Sequence, residues 1–307
     1  MYKPVFKFQD CKDYLLSTID ILIIGNSSEE RCSYMKSQYL KTDIEIVEIE
    51  MNKVDNNDLL CVVSNKGFFE EEKKWPFYQG MPKVLDKLNI TNKNVLLDIT
   101  GLQVNIIYYL IKLMITKYTP QLLFSCYIEP DEYTKLEADQ YLLNEEVFGL
   151  KAIPGFAKYK EEADKKILIA FLGFEGERLL KIIEEQHSDA IVYPVISFPA
   201  YKSYWNYIAL KKNYEALNNV DFYKDIAYYD ARDPIDTMNV INTIYNKNHR
   251  KTVLITSLGT KPTILGVALS ASHNKHIHPI SDYPLESEKK SSGIGRISIY
   301  PISKYTL

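Results

Sequence analysis

Arginine is scarce in this 307-residue chain. Only Arg31, Arg178, Arg232, Arg250 and Arg296, five of its 37 basic residues, carry a guanidinium. Lysine is the default cation, so each arginine marks a place where a planar five-donor fork for phosphate or carboxylate can do what an ammonium cannot. Cysteine is sparser still. Cys11, Cys32, Cys61 and Cys126 form no C-x-x-C pair. That excludes a dense disulfide scaffold and points to reduced, packed thiols in a cytoplasmic protein. Long apolar runs are lacking too. Ile21–Ile24 and Val95–Leu97 are strand-length, whereas a bilayer span needs about 20 residues. The N-terminus has no charged start leading into an apolar stretch, so no leader is expected. Nor is there an excess of positive charge. Lys+Arg 37 against Asp+Glu 40 leaves −3, which argues against a surface that coats duplex DNA.

What is present is ordinary globular material. Hydrophobic residues make up 46% and charged residues 25%, enough for a sizeable core. The length suits two domains or one large α/β unit. Tyrosine is abundant, at 24 residues.

Short β-rich runs alternate with helical patterns, which predicts βαβ units and parallel pairing. The expected strands of the first half are Ile21–Ile24, Ile44–Ile49, Leu59–Val63, Asn94–Asp98 and Leu122–Ile128. Helices are expected after Arg31 to about Tyr39, over Met81–Leu88 and over Val104–Thr116. Phe68–Lys74 reads as a solvated helix or loop. Lys151-Ala-Ile-Pro-Gly-Phe156 reads as a connector. The pattern then restarts, with strands at Lys166–Phe171, Ala190–Val195, Ile226–Tyr229, Thr252–Thr256, His276–Ile280 and Ile297–Pro301. The second-half helices are expected up to about Gln186, over Trp205–Leu217, over Pro234–Asn246 and up to about Ser272.

The two halves share landmarks. Ile21–Ile24 leads through Gly25 to Glu30-Arg31, and Ile167–Ala170 leads through Gly173 to Glu177-Arg178. Val95-Leu-Leu-Asp-Ile-Thr-Gly101 lines up with Val253-Leu-Ile-Thr-Ser-Leu-Gly259. The arginine-to-glycine spacing is 70 residues in one half and 81 in the other. The expected architecture is therefore α/β, with two tandem Rossmann-like domains on mainly parallel sheets. The N-terminal domain would span 1–150 and the C-terminal domain 151–307.

In open parallel sheets, ligands bind outside the carboxyl ends of the strands, where strand order reverses. Ser27, Arg31, Asp98, Thr100 and Gly101 are expected there in the first half. Glu175, Glu177, Arg178, Ser257, Gly259, Thr260 and Lys261 are expected there in the second. Ser257-Leu-Gly-Thr-Lys-Pro262 is the sharpest signal. Its glycine permits close backbone approach, the amides of the following helix attract anions, and Thr260 and Lys261 add a hydroxyl and an ammonium. Pro262 suits a first helical turn. The alternative is a capped turn with a surface lysine.

Other signals are more open. Arg31 and Arg178 could each grip an anion or pair with a neighbouring glutamate. Asp98 could polarise a water or cap a turn. Asp98, Glu175 and Glu177 are the candidate acid/base groups. Ser291-Ser-Gly-Ile-Gly-Arg296 could fold over the Gly-Thr-Lys turn and bring Arg296 to a ligand, or form a hairpin before an edge strand. Tyr201-Lys-Ser-Tyr-Trp-Asn-Tyr207 could stack bases or pack on the sheet.

Several cofactor chemistries lack their motif. No G-x-x-x-x-G-K-[ST] supports nucleotide hydrolysis, and Gly173-Phe-Glu-Gly-Glu-Arg178 fails the dinucleotide pattern G-x-G-x-x-G. His273-Asn-Lys-His276-Ile-His278 has no zinc spacing and reads as a solvated helix end. No cofactor and no metal are expected.

With Asp98-Ile-Thr-Gly101 and Ser257-Leu-Gly-Thr-Lys261 in place, the chain resembles CRISPR-associated Rossmann fold (CARF) proteins and the wider CARF-like sensors of prokaryotic antiviral defence. Those domains carry an Asp/Asn-x-Thr-Gly or Gly-Thr-Lys turn after a mid-sheet strand and bind cyclic oligonucleotides across a dyad. The resemblance implies a sensor for a nucleotide or other phosphorylated ligand, working alone or with a separate effector protein. It equally admits a ligand-degrading enzyme that cleaves a phosphodiester or N-glycosidic bond, or a non-catalytic scaffold subunit. The Gly-Thr-Lys is complete only in the second half, since Leu102-Gln103 follows Gly101. No further segment is expected to hold an effector domain.

Overall fold

The computed structural model describes residues 5–54, 57–65, 73–133, 151–153, 155–156, 166–185, 190–218, 226–248, 252–281 and 291–304. These form a mixed α/β structure with nine α-helices and two large sheets among the described residues. The chain divides into two compact units, one of Met1–Thr134 with Lys289–Leu307 and one of Lys135–Glu288.

In chain order the first unit holds β1 (Phe6–Lys7), α1 (Phe8–Thr18), β2 (Ile21–Gly25), α2 (Glu30–Tyr39), β3 (Glu45–Val54), β4 (Asn57–Ser64) and β5 (Lys73–Pro76). It continues with α3 (Phe77–Lys87), β6 (Asn94–Asp98), α4 (Val104–Leu113), β7 (Leu122–Ile128) and β8 (Glu132–Tyr133). The second unit holds β9 (Lys151–Ala152), β10 (Ile167–Phe171), α5 (Gly176–Glu185), β11 (Ile191–Ser197), α6 (Trp205–Lys212), α7 (Tyr214–Asn218) and β12 (Ala227–Tyr229). It ends with α8 (Pro234–Lys247), β13 (Val253–Ser257), α9 (Lys261–His273) and β14 (Ile277–Ser281). The chain then returns to the first unit for β15 (Ser291–Ser292) and β16 (Ile297–Pro301).

The first sheet has the order β1-β16-β7-β6-β2-β3-β4-β5. Its middle, β7-β6-β2-β3, is parallel. The flanks are antiparallel, with β16 on β7 and the meander β3-β4-β5 on the other side. The expected mainly parallel pattern therefore holds only at the centre of this sheet. The second sheet, β12-β11-β10-β13-β14-β9, is parallel except for β9. The runs β7-β6-β2-β3 and β14-β13-β10-β11 have the same order and direction. In each, strand order reverses beside the first strand of the run in the sequence, at β2/β6 and at β10/β13.

The burial patterns explain why these strands are central. Every residue of β2, β10 and β16 is buried, as expected of strands covered on both faces. On one face of the first sheet, Leu22, Ile24, Ile46, Leu96, Cys126, Ile128, Ile297 and Ile299 pack with Leu15 of α1 and with Met35 and Tyr39 of α2. The alternate residues Ile23 and Leu97 therefore point to the opposite face. In the second unit, Leu168, Ala170, Val192 and Leu254 pack with Leu179, Ile182 and Ile183 of α5 and Leu217 of α7. On α9, a Cβ at Gly266 would stand 2.5 Å from Thr237 Cβ of α8, so that glycine lets the two helices close together.

The compact units divide the chain at 134/135 and again at 288/289, rather than once at 150/151. Lys151–Ala152 is a strand pairing with β14, not a connector. Ile297–Pro301 belongs to the first unit, where it lies between β1 and β7. It is an interior strand rather than an edge strand. β9 precedes β14 in sequence yet completes its sheet, and β16 follows β14 yet completes the sheet of β7. Two helices also differ from expectation. Val104–Thr116 splits into α4 and a π turn at Met114–Tyr118, and Trp205–Leu217 breaks at Asn213 into α6 and α7. Of the expected solvated stretch Phe68–Lys74, 68–72 lies outside the described residues, and Lys73 and Lys74 open β5.

Candidate functional site

In the second unit four loops leave the carboxyl ends of adjacent parallel strands. These are 172–175 after β10, 198–204 after β11, 230–233 after β12 and 258–260 after β13. The β10 and β13 loops touch backbone to backbone. A Cβ on Gly173 would lie 1.7 Å from Leu258 O, so only glycine fits there. Leu172 N donates to Val195 O at 2.8 Å and Leu258 N to Phe171 O at 3.0 Å, which ties each loop to a neighbouring strand. Asn213 Nδ2 donates to Gly173 O at 2.8 Å and fixes the turn into α5.

At the start of α9, Thr260 is the N-cap residue in extended conformation, but its side chain does not cap. Its hydroxyl instead donates to Ala231 O at 2.8 Å and lies 3.1 Å from Thr263 Oγ1. Thr263 Oγ1 also meets Tyr229 OH at 2.9 Å. A Cβ on Gly259 would stand 2.8 Å from that phenol oxygen, so the glycine makes room for Tyr229. Burial pushes the Tyr229 hydroxyl up to about 12, and it stays a neutral hydrogen-bonding group. Ser257 and Lys261 are half-buried. Lys261 opens a 13-residue helix whose N-terminal amides carry partial positive charge.

At the start of α5, Arg178 pairs with Glu175 through Nη1 and Oε2. Both side chains are largely buried, while Glu177 is exposed. The pairing alternative therefore describes Arg178, and the guanidinium neutralises Glu175, one of the three candidate carboxylates. Phe174 beside them stands edge-on to the buried Trp205 at 5.5 Å.

The β12 loop contributes residues that the sequence reading did not place in the site. Arg232 lies with its guanidinium carbon 4.8 Å from the Tyr201 ring centroid and donates from Nη2 to Tyr201 O at 3.1 Å. Asp230 Oδ1 accepts from Arg232 N at 2.8 Å, and Asp233 Oδ1 caps α8 by accepting from Ile235 N at 2.8 Å. Burial raises the Asp233 carboxyl above its ordinary value. Tyr201 OH donates to Ala231 O at 3.3 Å. The signal was available as an arginine in Asp230-Ala-Arg-Asp-Pro234, directly after a strand.

The equivalent turns of the first unit are spent on the fold. Arg31 is buried. Its Nε donates to Glu29 Oε2 and Ser291 Oγ, each at 3.0 Å, and its Nη1 to Ile128 O at 2.6 Å. Nη2 lies 2.8 Å from Glu29 Oε2. Asp98 Oδ1 accepts from Thr100 N at 2.9 Å, and Thr100 Oγ1 accepts from Ile128 N at 3.0 Å. Asp98, only 1% exposed, thus closes a turn. Burial, and then the Asp98 charge, raise the thiol of adjacent Cys126 well above its ordinary value. Gly101 packs on Gly25, where a Cβ would lie 2.2 Å from Gly101 C. Ser27 Oγ accepts from Glu29 N at 3.4 Å.

Arg296 is exposed, and its carbonyl accepts from Glu129 N at 2.9 Å. Its segment is therefore anchored to the end of β7, where Gly295 N also donates to Glu129 O at 2.8 Å. The preceding 282–290 lies outside the described residues. His273 Nδ1 meets Leu269 O at 2.7 Å, His276 stacks on Tyr245, and His278 is buried in β14. Among the described residues no group of three or more His, Cys, Asp or Glu is placed to hold a metal ion, and no helix is long and apolar enough to cross a membrane.

No protein-family model matches this chain, and no curated protein matches it.

Proposed function

We propose that the chain is a CARF-like binding protein for a nucleotide or other phosphorylated ligand, built from two tandem Rossmann-like units. The equal order and direction of β7-β6-β2-β3 and β14-β13-β10-β11 support the duplication. So does the recurrence of a glycine contact at the reversal point, Gly25 on Gly101 and Gly173 on Leu258.

One observation carries the ligand reading. At β10/β13 the Gly259-Thr260-Lys261 turn opens a long helix without a side-chain cap, at the place where open parallel sheets bind ligands. In this reading Lys261 and the α9 amides hold the phosphate, Ser257 lines the turn, and Thr260 and Gly259 keep its shape. Arg178 is shared with Glu175. Arg31, Thr100 and Gly101 serve the fold of the first unit. The setting in prokaryotic antiviral defence, with a separate effector, rests on the resemblance of the two turns.

The test is calorimetric titration of the protein with a panel of mono-, di- and cyclic nucleotides and pyrophosphate. Lys261→Ala lowers affinity for the bound member with little change in melting temperature. Unchanged affinity removes the site from this turn. Product formation from any panel member would move the reading to an enzyme, with exposed Glu177 as the acid/base group to mutate first.

A further inference from the structure

We propose that a phosphate group bound at the Gly259-Thr260-Lys261 turn is signalled to the loop after β11 through the carbonyl of Ala231. The inference rests on the ligand reading above and adds the regulation of that site.

The loops after β11 and β12 are bonded into one body. Phe198 N donates to Tyr229 O at 2.7 Å and Ala231 N to Pro199 O at 3.3 Å. Arg232 Nη1 and Nη2 donate to Ala200 O and Tyr201 O at 3.4 and 3.1 Å. Tyr201 OH donates to Ala231 O at 3.3 Å. β12 is an outer strand of its sheet, and β11 and β10 lie between it and β13. Its loop nevertheless reaches the start of α9, where Thr260 Oγ1 donates to the same Ala231 O at 2.8 Å.

That bond ends a directed chain of hydroxyls, each of which has one proton to give. Thr260 gives its proton to Ala231 O, so the 3.1 Å contact between Thr260 Oγ1 and Thr263 Oγ1 runs from Thr263 to Thr260. The 2.9 Å contact between Tyr229 OH and Thr263 Oγ1 then runs from the tyrosine to the threonine. Tyr229 and Thr263 are buried. The last proton of the chain sits on half-buried Thr260, the N-cap residue of α9.

Phosphate oxygens are strong acceptors. A hydrogen bond to an ionised acceptor is roughly twice as strong as one to a neutral carbonyl. A phosphate at the start of α9 therefore draws the Thr260 proton away from Ala231 O, by rotation about one side-chain bond. The bonds from Tyr229 to Thr263 and from Thr263 to Thr260 are kept. Ala231 O retains Tyr201 OH, and the body formed by the two loops loses this tie to α9. Thr260 is the two-state element, with phosphate and Ala231 O as its competing acceptors.

The test is calorimetry followed by hydrogen exchange on the full chain, with pyrophosphate and the nucleotides of the same panel as probes. A bound probe is expected to protect the 258–263 amides and to speed exchange of the 198–204 and 230–233 amides at least about threefold. Thr260→Val is expected to show the faster exchange without a probe and no further rise with one. Thr260→Ser keeps the hydroxyl and the response. Tyr201→Phe leaves Ala231 O with neither hydroxyl once Thr260 turns away, so probe affinity falls about threefold although Tyr201 lies outside the turn. Binding with unchanged exchange in both loops overturns this inference and leaves the ligand reading standing. So does an undiminished response in Thr260→Val. Binding of no panel member at about 1 mM fails the ligand reading, and this inference with it.

Discussion

The hydroxyls of Tyr201 and Thr260 converge on a single acceptor, the carbonyl oxygen of Ala231, at 3.3 and 2.8 Å. Three strand-end loops are thereby joined at one atom. The β11 loop supplies the tyrosine, the β12 loop the carbonyl and the β13 loop the threonine. The Gly-Thr-Lys turn is shaped by this junction and by Tyr229 beneath it, not by its own sequence alone.

Thr260→Val is expected to cost about 1 kcal/mol of unfolding free energy, and Tyr201→Phe somewhat less, given the usual net worth of a hydrogen bond. Because both bonds share one carbonyl, the double variant should be non-additive. Urea unfolding of the four-member cycle checks this. Strict additivity would mean that the two bonds do not share an acceptor in solution.

Arg31→Ala is expected to destabilise the protein by about 3–5 kcal/mol, because Glu29 and the Ile128 carbonyl would lose a buried partner. Arg31→Lys should recover only part of this, since an ammonium cannot reach Glu29, Ser291 and Ile128 together. Chemical denaturation of the three proteins is the measurement. Equal stability of the lysine variant would show that charge, not the fork, is what the site uses.

Asp233 gives a pH dependence with a definite sign. Its folded carboxyl is raised above the ordinary value of 3.8 by burial. The folded state therefore holds this proton more tightly than the unfolded state. The contribution to stability is greatest below pH 3.8 and is lost as pH rises through the folded value. Asparagine caps helices as well as aspartate does, so Asp233→Asn should keep the cap to Ile235 N and remove this decline. Melting temperatures of both proteins across that window test it. Parallel curves would exclude Asp233 as the source.

Removal of Lys289–Leu307 is expected to unfold the first unit rather than trim a terminus. β16 is fully buried between β1 and β7, and Ser291 accepts from Arg31. The truncated chain should lose protection of β6 and β7 amides in hydrogen exchange while β10 and β13 keep theirs. Unchanged protection in β7 would show that its pairing with β16 is dispensable.

Much of the fold was legible residue by residue. Asn94–Asp98, Leu122–Ile128 and Ile297–Pro301 are strands at the bounds their patterns predict, because short runs bounded by turn residues fix local structure. Which sheet receives Ile297–Pro301 was not legible. A fully apolar strand satisfies any interior position, and nothing local distinguishes the sheet before it in the chain from the more distant one. In the strand-end turns, glycine, threonine and lysine signalled a close approach. The atoms approached, Leu258 O and Tyr229 OH, are contributed by other elements.

The sequence by itself determined the alternation of strands and helices, the positions of the two glycine turns and the scarcity of arginine. Tertiary structure alone decided how those arginines are used. Arg31 is consumed by four groups, Glu29 at the N-cap of α2, Tyr127 and Ile128 of β7 and Ser291 of the returning C-terminal segment, and Arg178 by its own neighbour Glu175. Arg232, which no motif marked, binds the loop of Tyr201. The physical reason is that a guanidinium's role is set by the acceptors within its reach. Most of those acceptors are carbonyls and hydroxyls that folding brings from far along the chain.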